Sequence, residues 1–94
     1  MKVIWSPLAL DKLEASAKYI ALDKPSAAEK WVDEVFDRID MLSSQPELGR
    51  EVPELLRSNY CEIIFGNYRI IYKIEIDIII LTIRNSRQLL DLGS

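Results

Sequence analysis

The sequence contains no histidine and only one cysteine, Cys61, and both absences restrict the chemistry available to it. Histidine is the commonest general base and the commonest metal ligand in proteins, so a frequent type of active site is excluded. A single cysteine can form neither an intrachain disulfide nor a cysteine-based metal cluster. We therefore expect no metal and no cofactor, and we expect Cys61 to be an inert buried thiol.

Long apolar runs and an excess of positive charge are also missing. The net charge is −3 and the isoelectric point is about 4.9, which argues against direct specific binding of nucleic acid. No run approaches the roughly 18 residues of a transmembrane helix, and Pro7 interrupts the N-terminal segment too early for a signal peptide. We expect a cytoplasmic protein without membrane association. Its 94 residues, 49% of them hydrophobic, suit a single globular domain over 1–94.

The first half of the sequence predicts one short strand and two helices. The segment KVIW (Lys2–Trp5) is rich in β-forming residues, and Ser6 and Pro7 are suited to cap and begin a helix that runs to about Leu22. Pro25 ends that helix, and a second one is predicted from about Ser26 to Leu42. Its apolar stripe consists of Ala28, Val32, Val35, Ile39 and Leu42. The short break between the helices favours an antiparallel helical hairpin.

The second half predicts strands after a loop rich in proline and glycine, 43–55. Within that loop, 50–52 is a candidate edge strand. From Asn59 onward the apolar runs are typical of strands, and Gly66-Asn67 is a two-residue hairpin signal. A further turn is predicted over 75–78, and 87–92 is either a last helical turn or a tail. The predicted fold class is α+β, with the helical hairpin packed on one face of an antiparallel sheet of about four strands.

The turn at Gly66-Asn67 fixes which residues share a face of the sheet. It places Phe65 opposite Tyr68, Ile64 opposite Arg69 and, further along, Cys61 opposite Tyr72, with alternate side chains on alternate faces. For the next hairpin, we expect Ile79, Leu81 and Ile83 to join the apolar face. That parity requires the pairs Ile74–Ile79, Tyr72–Leu81, Ile71–Thr82 and Arg69–Arg84.

Arg69 and Arg84 therefore lie directly opposite each other on the second face, where two like charges destabilise a sheet. Two explanations remain open. Glu62, which lies on the same face, acts as their counter-ion, or an anionic or carbonyl-rich ligand does. In this register the same face also exposes an apolar patch formed by Ile64, Ile71, Ile78 and Ile80. Such a patch is typical of a surface that a partner covers.

Three segments carry a resemblance that spans nearly the whole chain. They are WSPLALDKLEASAKYIA, PSAAEKWVDEVFDRIDMLSSQPELGREVPEL and GNYRIIYKIEIDIIILTIRNSR. In this order they resemble the RelE/ParE superfamily of toxins from type II toxin–antitoxin systems, and the middle segment is closer to the ParE branch. The resemblance implies a noncatalytic toxin that inhibits DNA gyrase. It also implies a hetero-oligomer with a cognate ParD-like antitoxin.

The apolar patch and the opposed arginines indicate where that antitoxin binds, and the candidate residues are Ile64, Arg69, Ile71, Lys73, Ile80 and Arg84. The resemblance indicates the residues for the gyrase target, near the chain end, and these are Arg84, Arg87, Leu89 and Leu90. The RelE branch implies a different activity, cleavage of mRNA on the ribosome, for which Arg69, Arg84, Arg87 and Glu62 would be the catalytic candidates. A third possibility is a relic that binds antitoxin without being toxic. Many members of both branches carry a histidine where this chain reads Ile83-Arg84-Asn85-Ser86-Arg87. The acidic net charge and the lack of a histidine for proton transfer weigh against the nuclease activity.

Overall fold

The computed structural model describes residues 1–55 and 59–85, and within them the chain forms two helices and five strands. The elements in chain order are β1 (Val3–Trp5), α1 (Pro7–Asp23), α2 (Pro25–Asp40), β2 (Arg50–Glu51), β3 (Tyr60–Phe65), β4 (Tyr68–Ile74) and β5 (Ile78–Asn85). A single 3₁₀ turn, Met41–Ser43, extends α2. The predicted α+β class is confirmed, and the sheet has one strand more than expected.

Lys24 alone separates the two helices. Its backbone is extended, with φ −152° and ψ 106°, and its N–H donates to the Ile20 carbonyl while Pro25 begins α2. The residue before a proline avoids helical angles, which explains why the break falls at this position. The second helix therefore begins one residue earlier than predicted and changes to a 3₁₀ turn near the predicted end.

The strands form one sheet in the order β1-β5-β4-β3-β2. The strand β1 runs parallel to β5, whereas the other neighbours are antiparallel. The register predicted for the hairpin of β3 and β4 is confirmed along its whole length, from Phe65–Tyr68 at the turn to Cys61–Tyr72. Gly66 adopts a φ of 58°, a left-handed conformation that glycine reaches at little cost.

The register predicted for β4 and β5 is confirmed for Arg69–Arg84 and Ile71–Thr82 but is wrong beyond them. Tyr72 lies opposite Ile80, not Leu81, and Ile74 lies opposite Ile78, not Ile79. A bulge causes the difference, because Leu81 is an extra residue in β5 and reverses the parity of the residues before it. The side chains on the helix-covered face are therefore those of Ile78, Ile80 and Ile83, whereas Ile79 and Leu81 do not belong to the core.

Ser6 fixes the bulge to the start of α1. Its hydroxyl donates to the Leu81 carbonyl at 2.9 Å and accepts from the Ala9 N–H at 3.0 Å, so one side chain caps the helix and bonds the extra residue. Its backbone N–H donates to the Ile80 carbonyl at 3.0 Å. The core then forms between the helices and this face of the sheet, and its fully buried side chains include Val35, Ile39, Leu42, Ile70, Tyr72, Ile78 and Ile80.

Candidate functional site

Arg69 is the second residue of β4 and lies on the face of the sheet away from the helices, and only 6% of it is exposed. Its guanidinium binds two carboxylates. It donates to Glu62 from Nε at 3.0 Å and from Nη2 at 2.6 Å, and it donates to Glu54 from Nη1 at 2.7 Å and from Nη2 at 2.8 Å. These bonds, first to Glu54 and then to Glu62, raise the pKa of Arg69 against the opposing effect of burial.

Glu62 is shared between two arginines. Its side chain is fully buried, and it also accepts bonds from Arg50 Nε at 3.3 Å and Nη2 at 3.2 Å. Arg50 lies directly opposite Glu62 in the pairing of β2 with β3, so the short edge strand brings the second guanidinium to the carboxylate. We call Arg50, Glu54, Glu62 and Arg69 the ion cluster. Its two positive and two negative charges balance.

The ion cluster answers the question that the opposed arginines raise. Glu62 is the counter-ion of Arg69, as the first explanation required, but its second partner is Arg50 and not Arg84. Arg84 lies opposite Arg69 in the register and is half-buried. A buried guanidinium held by four hydrogen bonds is a poor phosphate clamp, and a buried carboxylate bound to two guanidiniums is a poor general base.

Sequence reasoning missed Glu54 and the role of Arg50. Glu54 follows Pro53 in the loop after β2, where no periodic pattern predicts which way a side chain faces. The signal that could have found it is the requirement that a buried arginine satisfy up to five N–H donors, which one carboxylate cannot do. Arg50 could have been found by extending the antiparallel register of β3 to the candidate edge strand.

Tyr72 anchors the loop between α2 and β2 to the core. Its side chain is fully buried, its hydroxyl donates to the Pro46 carbonyl at 2.8 Å, and it accepts from the Gly49 N–H at 2.9 Å. Burial raises the pKa of Tyr72 to about 12. The ionised phenolate form of Tyr72 would lack solvation at this buried position. The stability of the fold therefore depends on the Tyr72 hydroxyl keeping its proton.

We expect the free energy of unfolding to fall as the pH rises from about 10 to about 12, by up to about 3 kcal/mol for a pKa difference of two. In that range the folded state holds the Tyr72 proton while the unfolded state releases it. Tyr72→Phe should remove this component, and at neutral pH it should cost about 1–3 kcal/mol because the Gly49 N–H loses its acceptor. Urea titrations at stepped pH values measure both effects. Tyr19→Phe, at a 72% exposed tyrosine, is the control and should retain the wild-type pH dependence.

The structure separates the residues predicted to bind an antitoxin. Ile64 is 45% exposed, as that interpretation requires, whereas Ile71 is 2% exposed and Arg69 is held in the ion cluster. Ile80 is fully buried and lies on the helix-covered face because of the bulge in β5, and Ile78 is buried in the same way. The predicted patch of four exposed isoleucines is therefore wrong, and Ile64 is its one exposed member.

The other predicted site residues lie either in the strands β4 and β5 or beyond the described ranges. Lys73 pairs with Glu75 and lies 5.3 Å from the centre of the Tyr60 ring. Of the residues predicted to bind the target, Arg84 lies within β5. The other three, Arg87, Leu89 and Leu90, lie outside the described residues.

Two surface grooves lie on different parts of the fold. One, of about 600 Å³, lies between α1 and α2 and is lined mainly by small apolar residues, among them Ala17, Ala21, Ala28 and Val32. The other, of about 410 Å³, is lined by residues of α2, of the loop before β2 and of β3, among them Arg38, Leu48 and Ile64. Within 1–55 and 59–85, no group of histidine, cysteine, aspartate or glutamate side chains is arranged to hold a metal ion. None of the described helices is long and apolar enough to cross a membrane.

Comparison with known proteins identifies the family to which this chain belongs. A family model described as the ParE toxin of the type II toxin–antitoxin system parDE matches residues 3–90. The chain belongs to the ParE toxin family. A relative from Sinorhizobium fredii (strain NBRC 101917 / NGR234), named "Putative toxin Y4kP", is 32% identical over 89 residues, which is 93% of this chain and 90% of that protein.

The fold of this ParE-family chain also matches a solved structure. It superposes on a chain of the chromosomal ParDE TA system from P. aeruginosa with a TM-score of 0.74. The match covers 90% of this chain and 95% of that one at 20% identity, so it supports the shared fold and no more. The ParE branch favoured by the sequence segments is therefore confirmed as the family of the chain.

Proposed function

We propose that this ParE-family protein inhibits DNA gyrase in the cytoplasm and is held inactive by a cognate ParD-like antitoxin. Inhibition here is binding without catalysis, so the protein is not an enzyme. Membership of the ParE toxin family supports the toxin role, and the antitoxin follows from the two-component systems to which that family belongs.

The ion cluster is the observation that carries the noncatalytic part of the proposal. In the alternative activity, ribosome-dependent cleavage of mRNA, Arg69 would bind phosphate and Glu62 would accept a proton. Arg69 instead donates four hydrogen bonds to Glu54 and Glu62, and the Glu62 side chain is fully buried. Both groups are thus engaged in holding the sheet together, and the net charge of −3 opposes unaided attraction to RNA.

Two assays on the same antitoxin-free preparation test the proposal. We expect loss of gyrase supercoiling, with trapped cleavage complexes, and no cutting of mRNA on programmed ribosomes. Adding the antitoxin encoded by the neighbouring gene should restore supercoiling. Codon-dependent mRNA cuts with unaffected gyrase would instead assign the protein to the nuclease activity. Inactivity in both assays, with antitoxin binding intact, would identify a nontoxic relic.

A further inference from the structure

The groove of about 600 Å³ between α1 and α2 has apolar walls made of small side chains. Ala17 and Ala21 lie four residues apart on α1, and Pro25, Ala28 and Val32 recur at three- and four-residue spacing on α2. Residues at this spacing share one face of a helix, so each helix presents one such stripe to the groove. Small side chains on both walls leave room for side chains of another molecule.

The rim of this groove carries negative charge. Glu29 and Asp33 lie on it one helical turn apart, and both residues are exposed. Asp37, one turn beyond Asp33, is also exposed and continues the acidic side of α2. Within 1–55 and 59–85, neither Glu29 nor Asp33 forms a salt bridge.

The lysines near the groove have acidic partners of their own. Lys18 also lies on the rim, but its ammonium group pairs with Glu14 on α1 at 2.9 Å. Lys30, which follows Glu29 in the sequence, approaches Glu34 at 3.9 Å. The two carboxylates of the rim therefore keep a net negative charge, in contrast to the ion cluster, whose charges balance.

The chemistry of the groove selects a class of partner. Apolar walls with an acidic rim are complementary to a surface that presents apolar side chains flanked by lysine or arginine. A second copy of this chain fits poorly, because it has 15 acidic and 12 basic residues and a net charge of −3. DNA gyrase fits well, because an enzyme that holds DNA must display clustered lysine and arginine toward the phosphates.

We propose that DNA gyrase is bound at this groove. A segment of the enzyme inserts apolar side chains between α1 and α2, and its basic side chains pair with Glu29 and Asp33. This inference rests on the proposed function, because it assigns the surface that recognises the target named there. The groove belongs to the helical layer, whereas the ion cluster lies on the face of the sheet away from the helices.

Neutral substitutions test the contribution of charge. In the antitoxin-free protein, Glu29→Gln combined with Asp33→Asn should raise the concentration needed for half-inhibition of gyrase supercoiling by about tenfold. Asp11→Asn combined with Glu47→Gln is the matched control. Both control residues are exposed and lie outside the groove, and the net charge changes by the same amount, so the wild-type potency should be retained.

Filling the groove tests the contribution of its apolar walls. Ala21→Trp should weaken inhibition by at least about tenfold, because the indole would occupy the space that the partner's side chains need. Ala15→Trp makes the same change at an exposed position of α1 outside the groove and should leave the potency unchanged. Calorimetric titration against purified gyrase measures the affinities directly, and circular dichroism checks that all variants fold.

The possible failures are distinguishable. If the groove variants inhibit gyrase as well as their controls do, the proposed function stands and the inference is overturned. Loss of antitoxin binding in the groove variants, with inhibition of gyrase unchanged, would assign the groove to the antitoxin and would also overturn it. If the wild-type protein does not affect gyrase at all, the proposed function itself fails, and this inference fails with it.

Discussion

Arg69→Met should lower the free energy of unfolding by about 3–5 kcal/mol, because it leaves a buried carboxylate without its main partner. The Glu62 side chain is fully buried, and the Arg69 side chain is 8% exposed. Once the guanidinium is removed, the Glu62 charge has only the exposed Arg50 as a counter-ion. Urea denaturation at pH 7 measures the change. A small domain has about 5–15 kcal/mol of stability, so this variant should be close to the limit of folding.

Arg50→Met is the matched control, since both arginines bind the same carboxylate. The Arg50 side chain is 65% exposed, and its ion pair should contribute less than about 1 kcal/mol. A double variant, Arg69→Met with Glu62→Leu, should recover most of the loss, because removing both charges also removes their desolvation. Equal losses for Arg50→Met and Arg69→Met would contradict the assignment of Arg69 as the central member of the ion cluster.

Gly49→Ala should destabilise the protein by about 3 kcal/mol, at the upper end of the range for overpacking. A β-carbon at Gly49 would lie 2.5 Å from the Glu62 carbonyl oxygen and 2.7 Å from the Tyr72 hydroxyl oxygen. The first atom belongs to the backbone of β3 and the second to a fully buried side chain, so neither can shift easily. The substitution should also break the bond from the Gly49 N–H to Tyr72. Thermal and urea unfolding measure the change.

Gly66→Ala is the control that distinguishes a steric clash of the added β-carbon from the cost of a left-handed backbone conformation. Gly66 has a φ of 58° but nothing within 4 Å of its β-carbon position. Its substitution should therefore cost only about 1–2 kcal/mol, the usual penalty for the left-handed conformation. If Gly66→Ala proved the more damaging of the two, the close approach of the loop to β3 would not be the reason that position 49 is glycine.

The helices and the first hairpin were predictable because their signals are local. Ser6-Pro7, Lys24-Pro25 and Gly66-Asn67 fix two helix starts and one turn through backbone preferences that depend on few neighbours. The bulge at Leu81 was not predictable in this way. A run of consecutive isoleucines, Ile78–Ile80, has no polar residue to show which side chains face the core, so a shift in parity leaves no trace in the pattern.

The candidate site was predictable only in part, for the same reason. The opposition of Arg69 and Arg84 followed from assigning Ile83 to the apolar face, which is correct because Ile83 lies beyond the bulge. Glu62 followed from the alternation of β3. Glu54 depends on how an irregular loop folds over the sheet, which only the tertiary structure determines. The error at Ile80 followed from the bulge, so one misplaced residue moved a buried side chain onto a supposed binding surface.

The parallel pairing of β1 with β5 affects when the protein can complete its fold during its synthesis. The hydrogen bond from Ser6 to Leu81 joins residues 75 positions apart, and β5 lies between β1 and β4 in the sheet. A nascent chain that has not yet released β5 from the ribosome lacks the strand that links its first element to the rest. The helices then have no complete surface on which to pack. The fold is thus completed only after nearly all of the described chain has emerged from the ribosome.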